Sequence, residues 1–97
     1  MDIPEPLLAP ECLTADTRAD FRARALAHVE QVVAEAAPHV DIDVGGTREI
    51  DATGLGVLLY VEKCARERGV GTRLLNVSPS VRNPLMVARL EHLFDLR

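Results

Sequence analysis

The chain has 97 residues, 47% apolar and 27% charged, with eleven Lys/Arg against fifteen Asp/Glu and a net charge of −4. That length suits one domain with one modest core, and the acidic surplus excludes a phosphate-tracking nucleic-acid face or a polybasic membrane patch. Only Phe21, Tyr60 and Phe94 are aromatic, which argues against a platform for stacking single-stranded bases.

The opening Met1-Asp2-Ile3-Pro4-Glu5-Pro6 is acidic and proline-broken, unlike a secretory leader. The longest apolar run, Gly56 to Val61, falls far short of the roughly twenty residues of a membrane span. Cys12 and Cys64 do not make a disulfide framework, so the expectation is a cytoplasmic chain with reduced thiols and no membrane contact. Pro4, Pro6 and Pro10 leave residues 1–13 irregular, or with one short strand around Leu7-Leu8-Ala9. Thr14 then reads as a helix N-cap with Asp16 in the first turn. From there Phe21, Ala25, Val29, Val32, Val33 and Ala36 recur at helical spacing until Pro38.

Val40, Ile42 and Val44 alternate with Asp41 and Asp43, a strand with one face inward. Gly45-Gly46 breaks it. After Ile50-Asp51-Ala52-Thr53-Gly54 a second helix is predicted from about Leu55 to Arg68. Its inner line is Leu55, Leu58, Leu59 and Ala65, with Val57, Val61 and Cys64 alongside and Gly69 as C-cap. Leu74, Leu75 and Val77 mark another strand. Ser78-Pro79 reads as cap and first helical position, but Pro84 implies a kink, or a helix capped by Asn83 instead. Leu93-Phe94-Asp95-Leu96 is a candidate closing strand. Helices alternating with short strands predict an α/β fold, a small and mostly parallel sheet with helices packed on it, forming a single domain over 1–97.

Catalytic machinery is hard to find. His28, His39, His92, Cys12 and Cys64 stand apart from one another and from metal-ligand spacing, so no metal, cofactor or enzyme activity is expected. The histidines read as surface or boundary residues, Cys64 as a small buried hydrophobe, Cys12 as inert, and Asp41 with Asp43 as a solvated strand face. Gly45-Gly46-Thr47 and Gly54-Leu55-Gly56 lack the spacing and the lysine of phosphate-binding loops. The segment Asp51-Ala52-Thr53-Gly54-Leu55-Gly56-Val57-Leu58 is different, because an acid, a hydroxyl and a glycine directly precede an apolar helix. Two readings compete there. Thr53 caps the helix and Gly54 makes a tight turn, or the hydroxyl is placed to become a phosphate, whose charge the helix N-terminus favours.

This segment resembles the Asp-Ser-Ser-Gly-Leu-Gly loop of the STAS domains of bacterial anti-sigma-factor antagonists. The likeness runs from Val40 to Leu96 through Gly69, Thr72–Val77, Ser78-Pro79-Ser80-Val81-Arg82, and Leu90, Leu93 and Phe94. It implies a STAS-like fold and a binding module that engages an anti-sigma factor, a serine-threonine kinase of the histidine-kinase-like ATPase class. In that family, phosphorylation of the loop hydroxyl ends the complex; by position it falls on Thr53, with Asp51 the acid two residues before. Asp51, Thr53, Gly54 and Leu55 are therefore the expected contact residues. Arg48, Arg82 and Asn83 join them from loops expected at the same end of the sheet. Two departures stand out: Thr53 replaces the usual Ser, and Ala52 replaces the neighbouring one. The family's N-terminal β-hairpin is expected to be shortened or missing, which would leave a sheet edge open to homodimer formation. The rival readings are a STAS-like scaffold or accessory subunit of a signalling complex or transporter ATPase, binding without phosphorylation, and a small-ligand sensor.

Overall fold

In the computed structural model, which describes residues 4–97, the alternation beginning at Val40 becomes an interior strand of the sheet, His39–Asp43, with Val44 just past its end. In chain order the elements are β1 (Leu7–Leu8), β2 (Cys12–Leu13), α1 (Arg18–Ala34), β3 (His39–Asp43), β4 (Glu49–Ile50), α2 (Ala52–Glu67), β5 (Gly71–Leu75), α3 (Pro79–Val87), a 3-10 turn (Glu91–Leu93) and β6 (Asp95–Leu96). One sheet runs β1-β3-β5-β6 and a small second sheet pairs β2 with β4. Every pairing among the described residues is parallel. No described helix is long and apolar enough to cross a membrane.

Period-two alternation fills the core from the inner face of the sheet. Val40, Ile42, Val44 and Leu74 are fully buried against Phe21 and Val29 of α1 and Leu58 and Val61 of α2. On the outer face, register places Arg73 between Asp41 and Asp95. The guanidinium of Arg73 grips Asp41 with two bonds of 2.7 and 2.8 Å and holds its carboxyl below the usual carboxylate range. Asp41, expected on a solvated strand face, is instead largely covered, its side chain 14% exposed and held in a bidentate clasp. Asp43 instead accepts from the Gly45 N–H and from Asn76, joining the loops that follow β3 and β5.

Several sequence expectations shift. The N-terminal segment forms two short strands in two sheets rather than one, and no hairpin occurs between them; Met1-Asp2-Ile3 lies outside the described residues. The first helix starts at Arg18, with Thr17 rather than Thr14 at the N-cap position and without a side-chain capping bond. Thr17 Oγ1 donates to Cys12 O at 2.7 Å and accepts from Thr14 N at 3.1 Å, so the extra turn ties the helix to β2. Ala36, placed on the apolar stripe by spacing, is exposed at φ 55° just past the helix end. In the second helix Glu62 takes the buried place expected for Leu59, which is 37% exposed. One Glu62 oxygen lies 3.6 Å from Arg66 Nε. For the third helix the Ser78-Pro79 start holds, and Pro84 sits inside the helix rather than opening it.

His28 lies deeper than the surface or boundary place expected of it: it is 8% exposed, on α1. Burial pushes its imidazole below the ordinary value, while Asp41 and then Glu35 oppose that shift. With the folded value depressed, the unfolded chain binds more protons just below about pH 6.5. Stability held above that pH should fall as the pH drops through it. Urea unfolding at about pH 8 and about pH 5.5 should show this loss in the wild type and a smaller one in His28→Gln. Equal losses in both proteins would contradict the assignment.

Candidate functional site

Where β4 ends, Asp51 takes an extended backbone (φ −102°, ψ −177°) and becomes the N-cap of α2. Its Oδ1 accepts from Gly54 N at 2.8 Å and its Oδ2 from Ala15 N at 3.3 Å. Its own N–H donates to Leu13 O at 3.3 Å, and its carbonyl accepts from Leu55 N at 2.9 Å. With this cap in place, the helix begins at Ala52, three residues earlier than expected. The capping role proposed for Thr53 therefore belongs to Asp51. Thr53 is the second helical residue, half-buried, and its hydroxyl has no hydrogen-bond partner among the described residues.

Gly54 is required by close approach rather than by backbone conformation. Its φ is ordinary, Gly69 being the described glycine at positive φ. A Cβ on Gly54 would lie 2.0 Å from Leu13 O and 2.8 Å from Leu13 C, inside the backbone of β2. Leu55 is half-buried against the core. Asp51, Thr53, Gly54 and Leu55 thus form one helical turn locked onto β2.

The other expected contact residues lie on neighbouring elements. Arg48 precedes β4, its side chain 83% exposed and 3.8 Å from Glu11. Arg82 and Asn83 are exposed on α3, which packs on β4. No hydrogen bond or ion pair joins Arg48, Arg82 or Asn83 to Thr53 among the described residues. His28, His39, His92, Cys12 and Cys64 occupy five separate elements, and both thiols are free. Desolvation and then Glu49 push the Cys12 thiol up, away from the reactive thiolate.

Sequence reasoning missed what Thr53 does face. A groove of about 740 Å³ runs between α1 and α2, with Arg18 and Arg22 on one wall and Thr53 and Tyr60 on the other. Ala19, Ala23 and Gly56 keep it open. The Arg22 guanidinium sits 4.6 Å from the centroid of the Tyr60 ring, a cation–π contact. The signal was Arg18 and Arg22 four residues apart, on the face of a helix that also carries Ala19 and Ala23.

The profile of the family described as "Mlab, STAS domain" matches residues 11–96. The chain belongs to this STAS family. STAS domains are in general regulatory rather than catalytic. The domain resembles the crystal structure of a candidate anti-sigma factor antagonist from Thermotoga maritima, with TM-score 0.75 and 15% identity over 97% of this chain and 84% of that one. A sulfate transporter family protein from Wolinella succinogenes gives TM-score 0.74 and 20% identity over 99% and 82%. At these identities the likeness is one of fold. No curated protein matches the sequence.

The two glycines of this STAS domain's loop should behave oppositely. Gly54→Ala should cost about 2 kcal/mol or more, because its methyl meets backbone that cannot step aside. Nothing lies within 4 Å of a Cβ on Gly56, a helix-interior position. Gly56→Ala should therefore stabilise by roughly 0.5–1 kcal/mol. Chemical denaturation of both variants checks this, and a neutral Gly54→Ala would refute the close approach.

Proposed function

We propose that this STAS domain is an anti-sigma-factor antagonist. In this reading it binds an anti-sigma factor kinase of the histidine-kinase-like ATPase class through the surface around Thr53, and phosphorylation of Thr53 ends the complex. The observation that carries the reading is the idle hydroxyl: Asp51 does the capping, so Thr53 is free for chemistry at the rim of a groove. The fold shared with the Thermotoga maritima protein supports it. Transfer would join Thr53 Oγ1 to the γ-phosphorus of ATP, break the bond to the bridging oxygen of ADP, and pass the hydroxyl proton to a base on the kinase.

A phosphate brings about −1.5 to −2 charges and a hydration shell that a docked surface must strip. Asp51 belongs to this chain in both free and bound states, so its repulsion opposes phosphorylation rather than driving release. Release draws on the partner side. A partner carboxylate about 6 Å away, at an effective dielectric near 20, contributes roughly 3 kcal/mol per unit charge. That corresponds to about a hundredfold in affinity.

A second reading draws on the shared fold of the sulfate transporter family protein and on the departures Thr53 and Ala52. The same surface would then bind a transporter ATPase constitutively.

Retention from native lysate on Thr53→Ala, followed by mass spectrometry, separates the two by the class of ATPase recovered. With that partner, calorimetry should give similar affinity for wild type and Thr53→Ala. Thr53→Glu should bind more weakly, by about ten- to a hundredfold. Equal affinity for all three, with no phosphoryl mass gained after incubation with partner and ATP, would refute the antagonist reading.

A further inference from the structure

We propose that Arg18 and Arg22 form a receiver, within this chain, for the phosphate of phosphorylated Thr53, clasping α1 to α2 across the groove in the off state. The inference rests on Thr53 being a phosphorylation site, and it adds what the modified residue does to its own domain.

Charge is the first argument. The chain is net acidic, and six of its arginines, Arg24, Arg48, Arg66, Arg68, Arg73 and Arg97, lie within 4.0 Å of a carboxylate oxygen. Arg18, Arg22, Arg82 and Arg89 make no such pair among the described residues, and of these four Arg18 and Arg22 line the groove, although Arg24 on the same helix turns to Asp20 at 3.1 Å. Two cations without anions face one groove, and the hydroxyl opposite them is idle. Space is the second argument. Ala19, Ala23 and Gly56 leave room between the helices for a tetrahedral anion. Preorganisation is the third: the Tyr60 ring already holds the Arg22 guanidinium at the groove wall. Arginine forks match phosphate oxygens with paired N–H donors, and ordering them beforehand reduces the entropic cost. The groove would then present no free cations to a partner.

The test needs no kinase. The full chain is prepared with phosphothreonine installed at position 53, in the wild type, in Arg18→Gln/Arg22→Gln and in Arg24→Gln. Phosphorus NMR then follows the second ionisation of the phosphate, about pH 6 when solvated. In the wild type this midpoint should fall below that of the double variant, with Arg24→Gln matching the wild type. Phosphorylation should also raise the melting temperature of the wild type more than that of the double variant. Coincident titrations of wild type and double variant would overturn the proposal, as would an equal shift in Arg24→Gln. An unchanged titration, with the double variant weakening partner binding of the unphosphorylated protein, would assign the arginines to an anion of the partner instead. If Thr53 is never phosphorylated in cells, the antagonist reading fails while the phosphate titration still stands.

Discussion

One carboxylate holds together the end of the domain where α2 begins. Asp51 caps α2 through Gly54 N, reaches the loop after β2 through Ala15 N, and fixes its own backbone to Leu13. The missing Cβ of Gly54 lets α2 sit directly on the Leu13 carbonyl. The helix start, the small β2–β4 sheet and the entry to α1 therefore meet at one point. Such a cap contributes about 1–2 kcal/mol by itself, and the tether to a second segment adds to it.

That arrangement divides labour between neighbours. Because the acid supplies the structural hydrogen bonds, the hydroxyl two residues later owes nothing to the fold. A modifiable group can then gain a charge without the helix losing its cap. Thr53 is half-buried in a groove that Arg18 and Arg22 also line, where the proposed phosphate would meet two cations. The N-terminus of α2 favours an anion in the same place. The bidentate pair of Arg73 with Asp41 lies on the outer face of the β1-β3-β5-β6 sheet, between two strands in register, and belongs to the scaffold.

Much of this was legible in the residues. The alternation around Ile42, the stripe of Phe21, Ala25, Val29 and Val32, and Gly69 past the second helix are local patterns, and the structure keeps them. The errors fall where tertiary contacts choose between equal local options. Thr14 and Thr17 are equal candidates by residue type; Thr17 takes the N-cap position, and its hydroxyl donates to Cys12 O rather than capping the helix. Hydropathy favours Leu59 for the core over Glu62, yet helix rotation buries the acid, with one oxygen facing Arg66. The strand β4 has two residues and exists only through its parallel partner β2, so no periodicity could disclose it. At the site, the motif drew attention to Asp51–Leu55, but not to Asp51 rather than Thr53 as the cap, nor to a helix start at Ala52. Arg18 and Arg22 were not legible, since on a single helix they look like an ordinary solvated face until α2 is laid beside them.

Asp51 is structural, and the Thr53 hydroxyl is free of structural hydrogen bonds among the described residues. Equilibrium unfolding of Thr53→Ala and Asp51→Ala side by side tests this most directly. Thr53→Ala should stay within about 0.5 kcal/mol of the wild type, as a side chain without structural bonds does. Asp51→Ala should lose at least about 1–2 kcal/mol, the value of a helix cap. A Thr53→Ala loss as large as that of Asp51→Ala would contradict the account, because the hydroxyl would then be holding the fold.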